Sequence, residues 1–426
     1  MKLSWTGFSK KSLQERLKFL QDYHLLNENN QANLEYNHTL PLSTADQMSE
    51  NVIGTFALPY AFVPDVMVDG QVYQVPFVTE EPSVVAAASF AAKMIKRSGG
   101  FKTTIHNRQM IGQVALYHVP DIKNAINNIQ EKKQKLLELA NQAHPSIVKR
   151  GGGARHLHAE YLNGEAEFLI VYLTVDTQEA MGANILNTML EALKSPLEEL
   201  SGGKSLMAIL SNYATEALVT ATCEIDLRFL SRNKSEAIDI AKKIVLASQF
   251  AKQDPYRAST HNKGIFNGID AVVLATGNDW RAIEAGAHAY ASRNGTYQGL
   301  TTWSIKEATQ TLYGEITLPL PIATKGGSIG LNPTVEVSFD LLKQPTAKEL
   351  ASIIASVGLA QNFAALKALV STGIQHGHMK LQAKSLALLA GAQDTEISPL
   401  VSQLISEKNF SLKRAQEILE DFRQKS

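Results

Sequence analysis

The sequence is poor in cysteine, since Cys223 is the single one in 426 residues. A disulfide within the chain is therefore impossible, and a reducing compartment is the expected environment. Cys223 stands in the strand-like run 219–225, where we expect plain hydrophobic core. The first residues lack the apolar stretch of a signal peptide. No window approaches the roughly 18 to 20 apolar residues of a membrane span, so we expect a cytoplasmic protein without a membrane partner.

An excess of either charge is absent too, because 41 Lys and Arg balance 41 Asp and Glu. A formal net charge of zero leaves no electrostatic footprint for DNA or RNA, so a nucleic-acid partner is not expected. A local basic patch for a phosphorylated ligand remains compatible with this balance. The composition is 44% apolar and 19% charged, which is typical of a globular chain with a large buried core.

The familiar nucleotide-binding motifs are missing. No G-x-G-x-x-G follows a predicted strand. Residues 201–205 (Ser-Gly-Gly-Lys-Ser) end like a phosphate-binding loop, but Glu198 stands where that loop needs its first glycine. The glycine-rich run 325–330 follows no alternating pattern and is more typical of a plain turn. A doubly wound nucleotide fold is therefore not predicted.

Metal-binding patterns are incomplete. His156 with His158, and His376 with His378, are H-x-H pairs. Neither pair has the further Cys or His ligands that would complete a site. We therefore predict no metal.

The middle of the chain orders its strands and helices in a split pattern. The sequence predicts, in order, a strand at 110–119, a helix from Pro120-Asp121 to before Pro145, two strands at 156–162 and 165–175 around the hairpin turn Asn163-Gly164, a helix at 180–200 and a strand at 206–210. This order indicates a ferredoxin-like α+β unit. It is not the strict alternation of a doubly wound fold.

The flanking regions are expected to be mostly helical, above all after Ser231. Helix starts are predicted at Ser12 with Glu15, at Thr346 with Glu349, and at Ser411. Residues 27–37 are polar and are expected to form a loop.

Three polar segments interrupt otherwise packable sequence, at 75–83, 254–265 and 275–282. The first places Glu80 and Glu81 at a strand-to-helix turn, where acidic residues also simply favour a helix N-terminus. The second is dense in hydrogen-bond donors, and a solvated loop is the plain alternative. The third follows an apolar run, and loops after buried strands often carry function; a helix cap is its alternative.

Together these segments resemble the signature motifs of hydroxymethylglutaryl-CoA reductases. The matches are, in chain order, 50–54 (Glu-Asn-Val-Ile-Gly), 75–76 (Val-Pro), 81–83 (Glu-Pro-Ser), 180–184 (Ala-Met-Gly-Ala-Asn), 261–268 (His-Asn-Lys-Gly-Ile-Phe-Asn-Gly), 276–282 (Thr-Gly-Asn-Asp-Trp-Arg-Ala) and 377–379 (Gly-His-Met). The forms of 81–83 (Glu-Pro-Ser) and 278–280 (Asn-Asp-Trp), with the missing membrane anchor, resemble the soluble, class II branch. Two positions depart from the family pattern: Glu179 stands where Asp is usual, and His376 where class II members often have Arg.

The resemblance implies an α+β fold in three parts. A large helix-rich substrate domain would span 1–106 and 213–374. A small ferredoxin-like dinucleotide-binding domain would be inserted at 107–212, and a C-terminal helical flap would span 375–426. The resemblance also implies a homodimer with active sites shared between subunits.

The implied reaction is the four-electron reduction of 3-hydroxy-3-methylglutaryl-CoA to mevalonate and CoA with two NAD(P)H, a step of the mevalonate pathway. Lys263 would face the developing oxyanion, and Glu81 would donate the proton in the aldehyde step. Asp279 would lie beside both and hold the cation in place. His378 would protonate the departing CoA thiolate, since imidazole titrates near neutrality.

Binding residues are implied in the same way. Ser83, Arg257 and Asn267 would hold the acyl group, with Arg257 suited to a carboxylate, and Asn212 would lie near the reacting oxygen or the nicotinamide. The dinucleotide would meet Lys149, Arg150, Glu179, Met181, Gly182 and Asn184. The basic pair Lys149-Arg150 suits a 2′-phosphate and favours NADPH over NADH, although a solvated basic turn is the plain alternative.

Two other functions remain open at this point. Another NAD(P)H-dependent acyl-thioester or aldehyde oxidoreductase would keep Lys263 and Glu81 but use one hydride per product. A non-catalytic ligand-binding protein on this fold would not need Glu81, Lys263, Asp279 and His378 together.

Overall fold

The structure, a computed structural model, describes residues 3–371 and 375–424, and for 375–381 the backbone alone. Its strands are β1 (Tyr60–Val68), β2 (Gln71–Val78), β3 (Phe101–Ile105), β4 (Gln109–Tyr117), β5 (Gly153–Asn163), β6 (Glu167–Asp176), β7 (Lys204–Ser211), β8 (Leu218–Asp226), β9 (Thr301–Lys306) and β10 (Thr311–Pro319). Its α-helices are α1 (Leu13–Asp22), α2 (Glu28–Glu35), α3 (Leu42–Met48), α4 (Val84–Arg97), α5 (Ile122–Glu131), α6 (Lys133–Ala143), α7 (Pro145–Lys149), α8 (Ala183–Ser201), α9 (Lys234–Gln253), α10 (Pro255–Ala275), α11 (Trp280–Ala291), α12 (Pro333–Leu341), α13 (Ala347–Val370), α14 (Gln375–Leu389), α15 (Asp394–Glu407) and α16 (Leu412–Gln424).

The smaller sheet is four-stranded and antiparallel, in the order β5-β6-β4-β7. Helices α5, α6 and α8 pack on one of its faces. On β4, Val114 and Leu116 point into this core and are buried against α8. The chain order and strand order are those of a ferredoxin-like unit, so that prediction is confirmed.

The larger sheet has six strands in the order β2-β1-β3-β8-β10-β9. Along β8 every second residue is buried, as period-2 alternation requires of a strand with one covered face. Cys223 is one of these buried residues, and burial raises the pKa of its thiol. The expectation that it is core is confirmed.

Helix α13 lies at the centre of the larger core and packs against α4, α9, α10 and β8. Thr346 and Glu349 form the predicted capping box at its start. Of the described helices, α13 is the one long and apolar enough to match a membrane span by length and composition. The expectation that no window reaches that length is therefore wrong, and 72% of the apolar window is buried inside the protein.

The C-terminal helices α14, α15 and α16 have a hydrophobic cluster of their own, which includes Ala383, Leu400, Leu404 and Ile418. Arg414 N–H donates to Ser411 Oγ at the start of α16, as the predicted cap requires. Three separate clusters thus accompany the two sheets and the C-terminal helices. The proposed domain boundaries themselves stay a prediction.

Residues 27–37 differ from the expected loop, because residues 28–35 form α2. Asn27 caps this helix by accepting from the Asn30 N–H at 2.9 Å, and Asn30 Nδ2 donates to Asp340 Oδ2 at 2.7 Å. The helix is anchored by polar bonds to α12. A segment held in this way carries no apolar stripe from which a helix is predicted.

Other elements also differ from the predicted ones in their boundaries. Asn163 pairs with Glu167, so three residues form the hairpin loop instead of a two-residue Asn-Gly turn. The helix expected from Pro120-Asp121 is interrupted at Lys132. The helix-rich region after Ser231 also contains the hairpin β9–β10, whose register was not predicted.

Candidate active site

Three predicted residues meet at the turn between β2 and α4. Lys263 and Asn267 lie one turn apart on α10, so both project from one face. Lys263 Nζ forms an ion pair with Glu81 Oε2, and Asn267 Nδ2 donates to Glu81 Oε1 at 3.2 Å. Both oxygens of the Glu81 carboxylate are therefore engaged by residues of α10.

Segment 254–265 is helical and not the solvated loop that its polarity allowed. Asp254 caps α10 by accepting from the Arg257 N–H at 2.9 Å, and Pro255 occupies the first turn. Further along, a Cβ placed on Gly268 would lie 3.0 Å from Val357 Cγ1 of α13. This close helix crossing fixes which face of α10 points outward.

His261, two residues before Lys263, points into the core and is 2% exposed. Its Nε2 lies 2.6 Å from Thr301 Oγ1 and 3.1 Å from Asn362 Nδ2. Burial, with smaller contributions from Arg257 and Lys252, lowers the pKa of His261 to about 3. A neutral imidazole thus anchors α10, a role that the sequence motif did not reveal.

Asp279 caps α11 by accepting from the Ala282 N–H at 3.1 Å, and it lies 3.6 Å from Arg281 Nε. Within the described ranges Asp279 makes no hydrogen bond to Lys263 or Glu81. The helix-cap interpretation of this residue is therefore correct. Its expected place beside the lysine stays a prediction.

The other predicted substrate-binding residues lie on separate elements. Ser83 precedes α4 with φ 76°, a left-handed conformation that a non-glycine residue rarely adopts. In the part of the chain that the structure describes, the Arg257 side chain has no ion pair, and partial burial lowers the pKa of its guanidinium. Asn212 is exposed, and its carbonyl oxygen lies over Gly286 of α11.

The predicted dinucleotide residues gather at the start of α8. Gly182 precedes the helix with φ 100°, and a Cβ there would lie 2.1 Å from Thr177 Cγ2. Among residues 3–371, no side chain caps this helix and no acidic residue occupies its first turn. The free N–H groups and the positive end of the helix dipole therefore suit a diphosphate. Met181 is half-buried and Asn184 is exposed beside them.

The basic turn is a neighbour of this helix start. Lys149 and Arg150 are exposed at the end of α7. A Cβ on the following Gly152 would lie 2.5 Å from the Asp176 carbonyl oxygen and 3.1 Å from Gln178 Cγ. The turn thus packs on the segment that leads into α8.

Glu179, the sixth predicted dinucleotide residue, has other partners in this structure. Thr324 Oγ1 donates to Glu179 Oε2 at 2.6 Å, and the Ala347 N–H donates to the same oxygen at 2.7 Å. The Glu179 carboxylate therefore ties the segment before α8 to the larger core.

His376 and His378 lie on the described backbone of α14, but their side chains are outside the described residues. Among the described side chains no three His, Cys, Asp or Glu residues come together as a metal site would require. His158 stacks on Tyr172 with ring centroids 4.9 Å apart.

A family model for hydroxymethylglutaryl-coenzyme A reductase matches residues 12–383. The 3-hydroxy-3-methylglutaryl-coenzyme A reductase of Archaeoglobus fulgidus is 41% identical over 98% of this chain and 94% of its own length. A probable reductase of the same name from Borreliella burgdorferi is 36% identical over 80% of this chain and 77% of its own.

Solved structures of the Streptococcus pneumoniae 3-hydroxy-3-methylglutaryl-coenzyme A reductase are also similar. One is 67% identical with a TM-score of 0.87 and covers 99% of this chain and 100% of its own. Another, the class II enzyme bound to NADPH in open conformations, is 67% identical with a TM-score of 0.86 and covers 87% of this chain and 100% of its own. The fold, the order of the motifs and these relatives agree, and the chain belongs to the class II hydroxymethylglutaryl-CoA reductase family.

Proposed function

We propose that Glu81, Lys263 and Asn267 form the reacting centre for the activity of this family, the NADPH-dependent reduction of 3-hydroxy-3-methylglutaryl-CoA to mevalonate and CoA. The observation that carries the proposal is the contact of Lys263 and Asn267 with both oxygens of Glu81. These residues come from two separate motifs. The contact is partly exposed, so a substrate carbonyl can reach it.

Lys263 stabilises the oxygen of the substrate carbonyl as it gains negative charge. Each hydride addition, first to the thioester and then to the aldehyde, places an anion on this oxygen. A fixed ammonium donor aimed at that point lowers the barrier of both additions. Because α10 is held by the His261 anchor and the α13 crossing, the ammonium needs little reorganisation.

Glu81 handles the proton of the second addition, in which the aldehyde becomes an alcohol. The Glu81 carboxylate would first take up a proton from solvent, and the protonated carboxyl would then deliver it to the oxygen that Lys263 also contacts. Asn267 donates to the other carboxylate oxygen and orients the group. Asp279, at the start of α11, would balance the charge of Lys263.

His378 would protonate the CoA thiolate released between the two additions. An imidazole can give that proton near neutral pH. Its helix, α14, belongs to the separate C-terminal cluster, which suits a flap that closes over bound substrate.

The start of α8 would hold the dinucleotide, with Met181, Gly182 and Asn184 at the diphosphate and Lys149 and Arg150 at a 2′-phosphate. When bound, NADPH supplies hydride. The uncapped helix N-terminus and the neighbouring basic turn support this placement. The NADPH complex of the similar S. pneumoniae enzyme supports the choice of nucleotide, and NADH remains possible.

Ser83 and Arg257 would hold the acyl group, with the Arg257 fork on its terminal carboxylate. Asn212 would lie near the reacting oxygen or the nicotinamide. We further propose a homodimer with shared active sites and a cytoplasmic location, supported by the resemblance to the class II branch.

The test counts nucleotide against thiol. With 3-hydroxy-3-methylglutaryl-CoA as substrate, absorbance at the nicotinamide band and free thiol are followed together. Two NADPH oxidised per CoA released supports the proposal. One NADPH oxidised per CoA released would instead identify an acyl-thioester reductase that stops at the aldehyde. No NADPH oxidation would indicate a non-catalytic ligand-binding protein.

The nucleotide preference has its own prediction. Changing Lys149 and Arg150 together to Glu should raise the KM for NADPH far more than the KM for NADH, because only NADPH carries the 2′-phosphate. Steady-state kinetics with both nucleotides measure the two constants. Equal increases would show that the basic turn does not contact that phosphate.

A further inference from the structure

The chain between β10 and α12 passes through a junction at residues 322–324, which we call the linking segment. Asn278, next to Asp279, holds it on one side. The Ala323 N–H donates to Asn278 Oδ1 at 2.8 Å, and Asn278 Nδ2 donates back to the Ala323 carbonyl at 3.0 Å. This paired contact fixes the linking segment against the start of α11.

Glu179 holds the linking segment on the other side. The Thr324 N–H donates to the Glu179 carbonyl at 3.0 Å, and the Thr324 hydroxyl donates to the Glu179 carboxylate at 2.6 Å. That carboxylate also accepts the Ala347 N–H at 2.7 Å, at the first turn of α13. An anion at a helix N-terminus is favourable. Three residues before Gly182, the chain is therefore tied to the core helix.

Arg108 completes the junction from the connection between β3 and β4. Its Nη2 donates to the Ile322 carbonyl and, at 3.3 Å, to the Ala180 carbonyl. Its Nη1 lies 3.4 Å from Thr177 Oγ1. The guanidinium thus joins the linking segment directly to the residues that precede α8.

We propose that Glu179 and Thr324 are positioning residues that set the start of α8, where the nicotinamide nucleotide binds, relative to Asn278 and Asp279. Glu179 acts through the linking segment and does not contact the nucleotide. The proposal rests on the placement of the nucleotide at α8 given above. Hydride transfer depends steeply on the separation of donor and acceptor, so a small shift of α8 should lower kcat as well as weaken nucleotide binding.

The length of the Glu179 side chain matters to this role. Its carboxylate reaches two donors from different elements, the Thr324 hydroxyl and the Ala347 N–H. Aspartate, one methylene shorter, would withdraw from both donors while keeping the charge. Glu179→Asp therefore tests whether the length of the side chain matters. Thr324→Val removes the hydroxyl that donates to Glu179, with little change in side-chain volume.

The experiment measures nucleotide affinity and steady-state kinetics in the full-length enzyme. Thr324→Val loses one hydrogen bond to the Glu179 carboxylate and should raise the Kd and KM for NADPH roughly threefold to tenfold. Glu179→Asp weakens two such bonds and should raise both constants at least as much. The Kd and KM for NADH should rise by the same factor, because in this proposal Glu179 and Thr324 contact no group of either nucleotide. The KM for 3-hydroxy-3-methylglutaryl-CoA should stay near its wild-type value, and Thr324→Ser should restore NADPH binding.

Thr317→Val is the matched control. Thr317 lies on β10 and its hydroxyl is 2.8 Å from Thr220 Oγ1, away from the junction. It should leave the NADPH constants unchanged. Unchanged NADPH binding in both junction variants would overturn the proposal, as would a changed NADPH-to-NADH preference in Glu179→Asp, which would indicate direct contact. A wild-type enzyme that binds neither nucleotide would instead refute the proposed function.

Discussion

At the scale of single residues, the Lys263–Glu81 ion pair is the feature that most strongly suggests chemistry. Its side chains are 59% and 35% exposed. Ion pairs with this exposure contribute little to stability, because water screens them. The pair contributes little to the stability of the fold, which supports the catalytic role that we propose for its two residues.

Lys263→Ala should lower kcat by roughly a hundredfold to a thousandfold, the usual loss when a donor to a developing oxyanion is removed. Its unfolding midpoint in urea should stay near that of the wild type. NADPH oxidation and urea titration measure the two effects.

Lys306→Ala is the control for this variant. Lys306 pairs with Glu224 at 2.5 Å, with side chains 44% and 39% exposed, on β9 away from the cluster. Wild-type turnover is expected from it. Unchanged turnover in Lys263→Ala would defeat the mechanism.

Asp270 is a second residue with a measurable signature. It lies on α10 and faces Glu284 of α11, and burial, followed by the Glu284 charge, raises the pKa of Asp270 to about 8. The folded state therefore holds a proton that the unfolded state releases at lower pH. The stabilisation that this proton gives the folded state is complete below the pKa of Asp270 in the unfolded chain, and it is lost as pH rises through about 8.

The urea concentration at which half of the wild-type protein is unfolded should accordingly decrease as the pH is raised from 5 to 8. Asp270→Asn, which mimics the neutral form, should flatten this slope and be the more stable protein at pH 8. Asp239→Asn, at an exposed position of α9 paired with Lys243, should keep the wild-type slope. A slope that persists in Asp270→Asn would assign the proton to another group.

At the scale of elements, the connection after β7 crosses α11 at a position that requires glycine. A Cβ on Gly286 would lie 2.4 Å from the Asn212 carbonyl oxygen. Backbone atoms cannot rotate away as a flexible side chain would. The crossing therefore sets the distance between Asn212 and α11, which Asp279 caps.

Gly286→Ala should destabilise the protein by about 1 to 3 kcal/mol, as overpacking typically does. It should also lower kcat, since it displaces Asn212 from α11. Urea unfolding and NADPH oxidation measure the two effects. Ala289→Ser, at an exposed position of the same helix, should change neither. If stability and kcat are unchanged in Gly286→Ala, the close approach of the Asn212 carbonyl to Gly286 contributes to neither.

Helices and strands that are specified by nearby residues could be predicted from the sequence, whereas those held by distant residues could not. The capping boxes at Ser12 and Thr346 are local signals, and the structure has both where the sequence places them. The strand predicted at 110–119 is also a local signal, and it is present as β4 at 109–117. Helix α2 was missed because its bonds to Asp340 are formed by a partner that lies 310 residues away in the chain.

At the scale of the whole molecule, the C-terminal helices and the two sheets have separate hydrophobic clusters. A flap with a core of its own can move as a unit without exposing the main cores. The proposed role of His378 on this flap belongs to one half of the reaction only. The thioester step releases a thiolate, whereas the aldehyde step does not.

His378→Gln should therefore slow reduction of 3-hydroxy-3-methylglutaryl-CoA by roughly a hundredfold, a typical loss for a general acid. Reduction of added mevaldehyde should stay near wild type. Both rates are measured by NADPH oxidation. Equal loss in both assays would place the residue outside thiolate protonation.

His376→Gln serves as the neighbouring control. His376 stands where class II members often have Arg, and we expect it to be a neutral replacement and not a second acid, so both rates should remain close to wild type in this variant. A selective loss of the thioester reaction in His376→Gln would transfer the acid role to that imidazole.

The sequence by itself determined the family, through motifs that stand in a fixed order, and the ferredoxin-like unit, through its local periodicities and turn signals. Only the tertiary structure decided which side chains meet. Glu81 and Lys263 are 182 residues apart, and Glu179 finds its partners 145 and 168 residues away. Contacts of that kind depend on helix rotation and strand register, which the packing of the whole core sets. For this reason the contacts of Glu179 with Thr324 and the start of α13 could not be predicted from the sequence, which showed only that Glu179 stands in the dinucleotide motif.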